Sequence, residues 1–408
     1  MYKQRRMALM AKCKENSSVF VFSGYSPMRS ADEGYPFSVD RNFYYLTGLD
    51  REDMILHVEK IGGTVVSTLF ILPFDPVQAR WVGGRISKEE AKKIAQVDQV
   101  LDFGSFEDVL AQLYNRRRSM EEYHVYLDLW RYRKNQADTE AMKLASKIQK
   151  NYPSWRIFDL FPMITKMRMI KDENEVAEII RANEITRDGV VAMMKNIGDG
   201  KCEMEMEGTF LFELMKQGCK NTAFQTIAAS GKNATILHYS TNSDLCKDGD
   251  LFLCDLGATS GYYCADISRT FPVNGKFTER QKQLYNTVLE AQWLVEKNAK
   301  PGLTTRQLNQ MVIEFYISKL KELNLKEKVV EYYFHGVAHH LGLDTHDVSL
   351  LDAPLEPGMV ITNEPGLYIA EEGIGIRIED DLLITEDGCR NLSCTPKTVE
   401  EIEEIMKK

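Results

Sequence analysis

Histidine is scarce in this chain, with seven residues in 408. Its eight cysteines are scattered and form no Cys-x-x-Cys pair, so no thiolate metal motif is present. No run is long and apolar enough to span a bilayer. The stretch from Met1 to Cys13 has basic residues but neither an apolar core nor a small-residue cleavage site. It reads as a short amphipathic helix and not as a secretion signal. The cysteines are then expected to be reduced thiols in a cytoplasmic protein. Net charge is −9 and no basic stripe appears, which weighs against a nucleic-acid or anionic-membrane partner. The paired glycines Gly62-Gly63 and Gly83-Gly84 fit turns, and neither matches a phosphate loop. There is no low-complexity segment and no clear internal repeat.

What is present is an ordinary soluble balance, 44% apolar and 27% charged. A chain of this length exceeds what one core usually organises. Residues 1–160 alternate strands and helices, a mixed α/β domain. Strands are expected at 18–22, 43–46, 54–58, 64–72 and 123–129. Ser87 with Glu90 starts a helix through Val97, and Asp138 starts another to about Lys150. The pattern breaks around Asn151 to Ser154 and Phe161-Pro162, so a second domain is expected over 161–408. It opens with Asp172-Glu-Asn-Glu175, a capping arrangement before a long helix. Further helices are expected from about Cys202 to Lys216, after Thr278 with Gln281, and from Thr304. Residues 329–395 are strand-rich.

The chemistry concentrates in four stretches. Asp250 to Phe271 reads as two strands around the turn Thr259-Ser260-Gly261. If the hairpin is centred between Ser260 and Gly261, Asp255 lies directly across from Asp266. Two like charges so placed need a cation between them. The alternative is that one aspartate faces solvent or that the register is shifted. Four of the seven histidines fall in His335-Gly-Val-Ala-His339-His340-Leu-Gly-Leu-Asp-Thr-His346. Imidazole is both a metal ligand and an acid–base group; of the four, His340 reads as structural. Glu364 stands at a strand end among apolar residues and needs a partner, either a metal or a basic side chain. In Gly373 to Ile384, period two puts Arg377, Glu379 and Asp381 on one side, and Arg377 and Glu379 could simply neutralise each other. Collected, these carboxylates and imidazoles suit two hard divalent ions such as Mn²⁺, with Zn²⁺ or Co²⁺ as alternatives. Such a site activates water and polarises a carbonyl, which points to hydrolysis.

On these residues the second half resembles the metallopeptidases with the pita-bread fold, which include methionine aminopeptidase, aminopeptidase P and prolidase. Asp255, Asp266, His339, Glu364 and Glu379 match their five ligand positions in order. Within that family Ile236-Leu-His238-Tyr, Asp266 to Gly275, His335 to Asp347, Glu364 to Tyr368 and Gly375 to Asp380 are similar to aminopeptidase P. The run Tyr35 to Gly48 is similar to the N-terminal domain of that enzyme, a creatinase-like α/β domain. The resemblance implies an Xaa-Pro aminopeptidase in which Asp255 chelates one ion. Asp266 and Glu379 would bridge both, and His339 and Glu364 would hold the second. Glu364 would also take a proton from the attacking water and pass it to the leaving nitrogen. His238 and His346 would hydrogen-bond the substrate and the oxyanion. His335 and Arg377 would border the proline pocket, with Tyr368 beside them.

Two positions depart from the family's pattern. Phe224 stands where some relatives have tyrosine, which removes one hydrogen bond expected to a metal carboxylate. Asn363 replaces an apolar residue before Glu364. Three other readings compete. Prolidase would share the metals and the proline pocket but cleave only dipeptides. A non-catalytic binding module and a metal-free, creatinase-like hydrolase would each have lost the ligand set. The resemblance also implies a homodimer or larger assembly through the N-terminal domain. Asp32 and Trp81 are its candidates for reaching a neighbouring subunit's cleft, unless Trp81 is a domain-core aromatic.

Overall fold

A computed structural model describes residues 1–407 of the chain. They divide into two compact units, residues 1–167 and 168 onward.

In the first unit six strands form one sheet. They are β1 (Ser17–Phe22), β2 (Ile55–Ile61), β3 (Thr64–Ile71), β4 (Gln99–Asp102), β5 (Tyr123–Leu127) and β6 (Trp155–Asp159), in the order β4-β3-β2-β1-β5-β6. Only β2 runs antiparallel to its neighbours. The helices are α1 (Tyr2–Lys12), α2 (Arg41–Thr47), α3 (Pro76–Val82), α4 (Lys88–Ala95), α5 (Phe106–Arg117) and α6 (Glu140–Asn151). Phe20, Phe70, Phe106, Leu110, Tyr123 and Trp155 close the core on one face of the sheet. Buried Arg6 in α1 is satisfied by the carbonyls of Leu46, Ala95 and Gln96 at 2.6–2.7 Å.

Residues 43–46, expected as a strand, lie in helix α2. Asp40 Oδ1 accepts from the Phe43 N–H at 2.9 Å, and Gly48 closes the helix at φ 69°. Caps at both ends outweigh the strand preference of Phe-Tyr-Tyr. Helix α6 starts one residue later than expected, because the Thr139 hydroxyl and not Asp138 caps it.

Helix α7 (Phe161–Met169) spans the division, with all but its last two residues in the first unit, and the second unit contains α8 (Glu173–Asn196), α9 (Glu203–Lys216), α10 (Glu279–Asn298), α11 (Thr305–Lys319) and α12 (Val399–Ile405). Its strands are β7 (Ile227–Ser230), β8 (Leu251–Leu256), β9 (Thr259–Ser260), β10 (Tyr263–Cys264), β11 (Ile267–Pro272), β12 (Val360–Asn363), β13 (Gly366–Ile369), β14 (Ile374–Arg377), β15 (Asp380–Ile384) and β16 (Cys389–Asn391). They form antiparallel sheets β11-β8-β7 and β12-β15-β16, with two-stranded β9-β10 and β13-β14 beside them. Reciprocal capping boxes open α8 (Asp172 and Glu175), α10 (Thr278 and Gln281) and α11 (Thr304 and Gln307). The core gathers Val190 and Met193 of α8, Phe210 of α9, Leu284 and Val288 of α10, and Phe252 and Phe271 of the sheet.

The register of the aspartate hairpin differs from the expected one. Ser260 pairs with Tyr263 across the two-residue turn Gly261-Tyr262, whose φ angles are 50° and 68°. Both central residues are left-handed, as the tight hairpin turn with matching twist requires. Asp255 therefore faces Ser268 and not Asp266. The slip is by two residues, so Asp255 and Asp266 keep a common face as diagonal neighbours. A tyrosine in the left-handed position gives no turn signal in the sequence.

Candidate active site

The second unit holds a cleft of about 640 Å³. Strands bring its acids together. Asp255 is near the end of β8, Asp266 precedes β11, Glu364 follows β12, and Glu379 lies between β14 and β15. His339 and His346 come from the loops before β12, and His238 from the loop after β7. All of these line the cleft, together with His335 and Arg377. Asp266, His339 and Glu379 offer ligand atoms that all lie within 4.8 Å of one another. His339 Nε2 is 3.4 Å from Asp266 Oδ2 and 3.5 Å from Glu364 Oε1.

The charge balance is lopsided. Asp255, Asp266, Glu364 and Glu379 are four carboxylates around a single guanidinium, that of Arg377. Its Nη2 donates to Asp255 Oδ2 at 2.6 Å, while Asp255 Oδ1 is buried without a hydrogen-bond partner. Burial, and then the neighbouring Glu379 and Asp255, push the Asp266 carboxyl far above the usual range. Glu379 is driven up by burial and by Glu364 and Asp255. Burial pushes Glu364 up to about 8, with Arg377 opposing. Burial, followed by the charge of His346, takes His339 down to about 3. Its Nδ1 lies 3.1 Å from the His340 carbonyl. The neutral ring donates there and turns a bare Nε2 lone pair toward carboxylate oxygens. A lone pair facing carboxylates, with an orphaned Asp255 oxygen beside them, fits a cation-binding site with oxygen and imidazole donors.

The remaining predicted residues take distinct places. His335 Nε2 is 2.9 Å from the Tyr368 hydroxyl and its Nδ1 is 3.6 Å from Glu364 Oε2. Tyr368 is buried and does not line the cleft; its hydroxyl accepts from Arg377 Nη1 at 2.8 Å. It holds the two cleft residues from behind. His346 packs against His339 with ring centroids 4.1 Å apart and the planes tilted by 36°. His340 is buried and bridges to Ile361, outside the cleft. Asp381 lies behind the site, accepting from Asn183 Nδ2 at 2.8 Å and the Asp266 N–H at 3.2 Å. The Phe224 ring lines the cleft, and Asn363 is buried, donating to the Gln292 carbonyl at 3.0 Å.

Two supporting residues escaped the sequence reading. Ser268 Oγ donates to Glu379 Oε2 at 2.7 Å and accepts from Arg377 Nε at 2.8 Å. Thr362 Oγ1 donates to Glu364 Oε1 at 3.2 Å and accepts from the His339 N–H at 3.0 Å. Each stands two residues before or after a candidate ligand, so strand periodicity could have flagged it.

Residues 177–386 match the profile of Metallopeptidase family M24, and residues 2–122 match that of the aminopeptidase P N-terminal domain. The Xaa-Pro aminopeptidase of Escherichia coli is 35% identical, with 99% of this chain and 97% of that protein aligned. That of Haemophilus influenzae is 34% identical, over 99% and 96%. Among solved structures, a putative aminopeptidase P from Bacillus anthracis superimposes with TM-score 0.96 at 43% identity, covering 99% of this chain and 97% of that one. Zinc-substituted E. coli aminopeptidase P in complex with product gives TM-score 0.90 at 33% identity, with the same coverage.

Proposed function

The chain belongs to metallopeptidase family M24 and is a metal-dependent hydrolase, and from that premise we propose that it removes the N-terminal residue from peptides with proline second. The observation that carries this reading is the convergence of Asp266, His339 and Glu379 within 4.8 Å, with Glu364 3.5 Å from His339, in one cleft. Asp255 would hold one ion, Asp266 and Glu379 both, and His339 and Glu364 the other. We take the ions to be Mn²⁺, with Zn²⁺ or Co²⁺ able to replace it. When bound, they acidify a water and polarise the scissile carbonyl.

An Xaa-Pro bond is a tertiary amide whose nitrogen carries no hydrogen. That nitrogen must gain a proton as the C–N bond breaks, so a positioned acid is required. We assign this role to Glu364, which lines the cleft. Its carboxylate takes a proton from the attacking water and returns it to the prolyl nitrogen, while the water oxygen stays on the released residue. Thr362 orients Glu364 through Oε1. His238 and His346 both line the cleft, and in this reading they would donate to the substrate and to the developing oxyanion. His335, held down to about 4 mainly by burial, presents a neutral ring to the proline pocket beside Arg377.

The assembly we propose is a cytoplasmic homodimer or larger, joined through the first unit. No helix among the described residues is long and apolar enough to cross a membrane. Helix α3 has no buried residue, and Val77, Trp81 and Val82 are exposed on it beside Phe74. Such a patch is usual at a protein interface. The test is hydrolysis of Xaa-Pro dipeptides against Xaa-Pro-Xaa tripeptides after reconstitution with Mn²⁺. Tripeptide cleavage with release of the first residue is expected. Cleavage of dipeptides alone would make the chain a prolidase, and no cleavage of either would overturn the reading.

A further inference from the structure

Residues 231–244 form one wall of the cleft, contributing Leu237, His238 and Ser240. After the single turn Gly231–Thr235 this wall has no regular secondary structure up to Asp244, and His238 and Ser240 are exposed. A backbone of this kind does not hold an imidazole in a fixed place by itself. Its anchor lies outside the cleft. Glu203, the first residue of α9, is 0% exposed and forms no ion pair among the described residues. Its Oε1 accepts from the Ser230 N–H at 2.7 Å, Ser230 Oγ at 3.0 Å and Asn233 Nδ2 at 3.0 Å. Its Oε2 accepts from the Tyr239 hydroxyl at 2.8 Å and the Asp244 N–H at 2.9 Å. In return the Glu203 N–H donates to the Asp244 carbonyl at 3.0 Å.

A carboxylate is expensive to bury without a cation. Here every lone pair is used, and the N-terminal end of α9 adds its positive dipole. All the side-chain partners lie between Ser230 and Asp244. They flank Leu237 and His238 on both sides, with Tyr239 next to His238. One turn further along α9, Glu207 Oε2 accepts from Asn242 Nδ2 at 2.9 Å. Asn242, at φ 48°, also donates to the Thr226 carbonyl and accepts from the Ala228 N–H. The first turns of α9 thus grip the same loop twice.

We infer that Glu203 is the positioning residue for His238, acting through a hydrogen-bonded clamp on residues 230–244. The inference rests on the peptidase reading only for what His238 does once it is placed. Glu203→Gln in the full-length chain puts an N–H₂ group where one oxygen now accepts. Amide exchange in peptides covering 231–244 should speed up at least about tenfold. Bound metal should stay at the wild-type level, because the candidate ligands lie on other elements. On an Xaa-Pro-Xaa substrate kcat/KM should fall about tenfold, divided between kcat and KM as it is in His238→Ala. The double variant should be no slower than His238→Ala alone. Tyr239→Phe removes one donor and should shift exchange and activity the same way by less, and it decides the matter if Glu203→Gln does not fold. Unchanged exchange in both variants would overturn the clamp, and additive losses with His238→Ala would overturn its action through that histidine. A wild-type chain inactive on every Xaa-Pro peptide would count against the function, while the exchange measurement would still decide the clamp.

Discussion

Arg377 Nη2 and Asp255 Oδ2 are 2.6 Å apart across a sequence separation of 122 residues, a contact that gives the four cleft carboxylates a cation of the protein's own. Removing a partner from a buried ion pair costs about 3–5 kcal/mol. Arg377→Ala should therefore lower the melting temperature of the EDTA-treated chain by on the order of 10 °C. Mn²⁺ should restore much of that loss, since ions bound to the same carboxylates oppose their repulsion. Calorimetry with and without Mn²⁺ reads both effects. An equal drop in the two forms would mean that the guanidinium does not balance these acids.

Asp266 is buried beside Glu379, Asp255, Asp381 and Glu364, and in the proposed assignment it holds both ions, so its loss should be felt by both. Asp266→Ala should bring bound divalent metal close to zero by elemental analysis, and EDTA should abolish wild-type activity. Full metal content in the variant would sink the ligand assignment.

Glu364→Gln keeps the shape and the bond from Thr362 but removes the proton acceptor. A drop in kcat of at least ~10² is expected, with an unchanged circular dichroism spectrum. Turnover near the wild-type rate would place the proton shuttle elsewhere.

His57 gives the first unit a pH dependence. Burial holds its imidazole down at about 4; the ring stacks on Phe20 at 4.5 Å, and Nε2 is 2.7 Å from Ser18 Oγ. In the unfolded chain it titrates near ~6.5. Above that pH both states are neutral and the stability is fully present. Between 6.5 and 4 only the unfolded state takes up the proton, so stability falls with falling pH by up to ~1.4 kcal/mol per pH unit. Urea unfolding followed by tryptophan fluorescence reports mainly on this unit, which holds Trp81, Trp130 and Trp155 of the four tryptophans. His57→Gln should flatten the slope in that window. An equal slope in the variant would assign it to other groups.

Trp81 is 84% exposed, which rules out a place in the core of its own unit. If it reaches a neighbouring subunit's cleft, Trp81→Ala should raise KM for tripeptides and longer substrates. The kcat on a dipeptide should change little. An unchanged KM across lengths, with the oligomer intact by light scattering, would leave the first unit as a scaffold.

Much of the local structure is legible in the sequence because it is held by contacts three residues apart. The boxes Asp172 with Glu175, Thr278 with Gln281 and Thr304 with Gln307 each start a helix as their side chains predict. The residue types for hydrolytic metal chemistry were legible for a similar reason. Aspartates on one strand face, clustered histidines and a glutamate at a strand end carry their chemistry with them wherever the chain folds.

The tertiary structure decided what depends on distant partners or on unusual backbone. Residues 43–46 became helix because Asp40 and Gly48 cap them, against the propensity of the aromatics between. The hairpin register goes with Tyr262 in a left-handed conformation, which no turn residue in the sequence announces. Glu203 reads as a helix-start acid until folding buries it beneath a loop whose donors run from Ser230 to Asp244. Arg377 could have paired with Glu379 two residues away; folding gave it Asp255 at 2.6 Å and left Glu379 Oε2 at 4.0 Å. Sequence periodicity says which side chains share a face, but only packing between strands far apart in the chain says which of them touch.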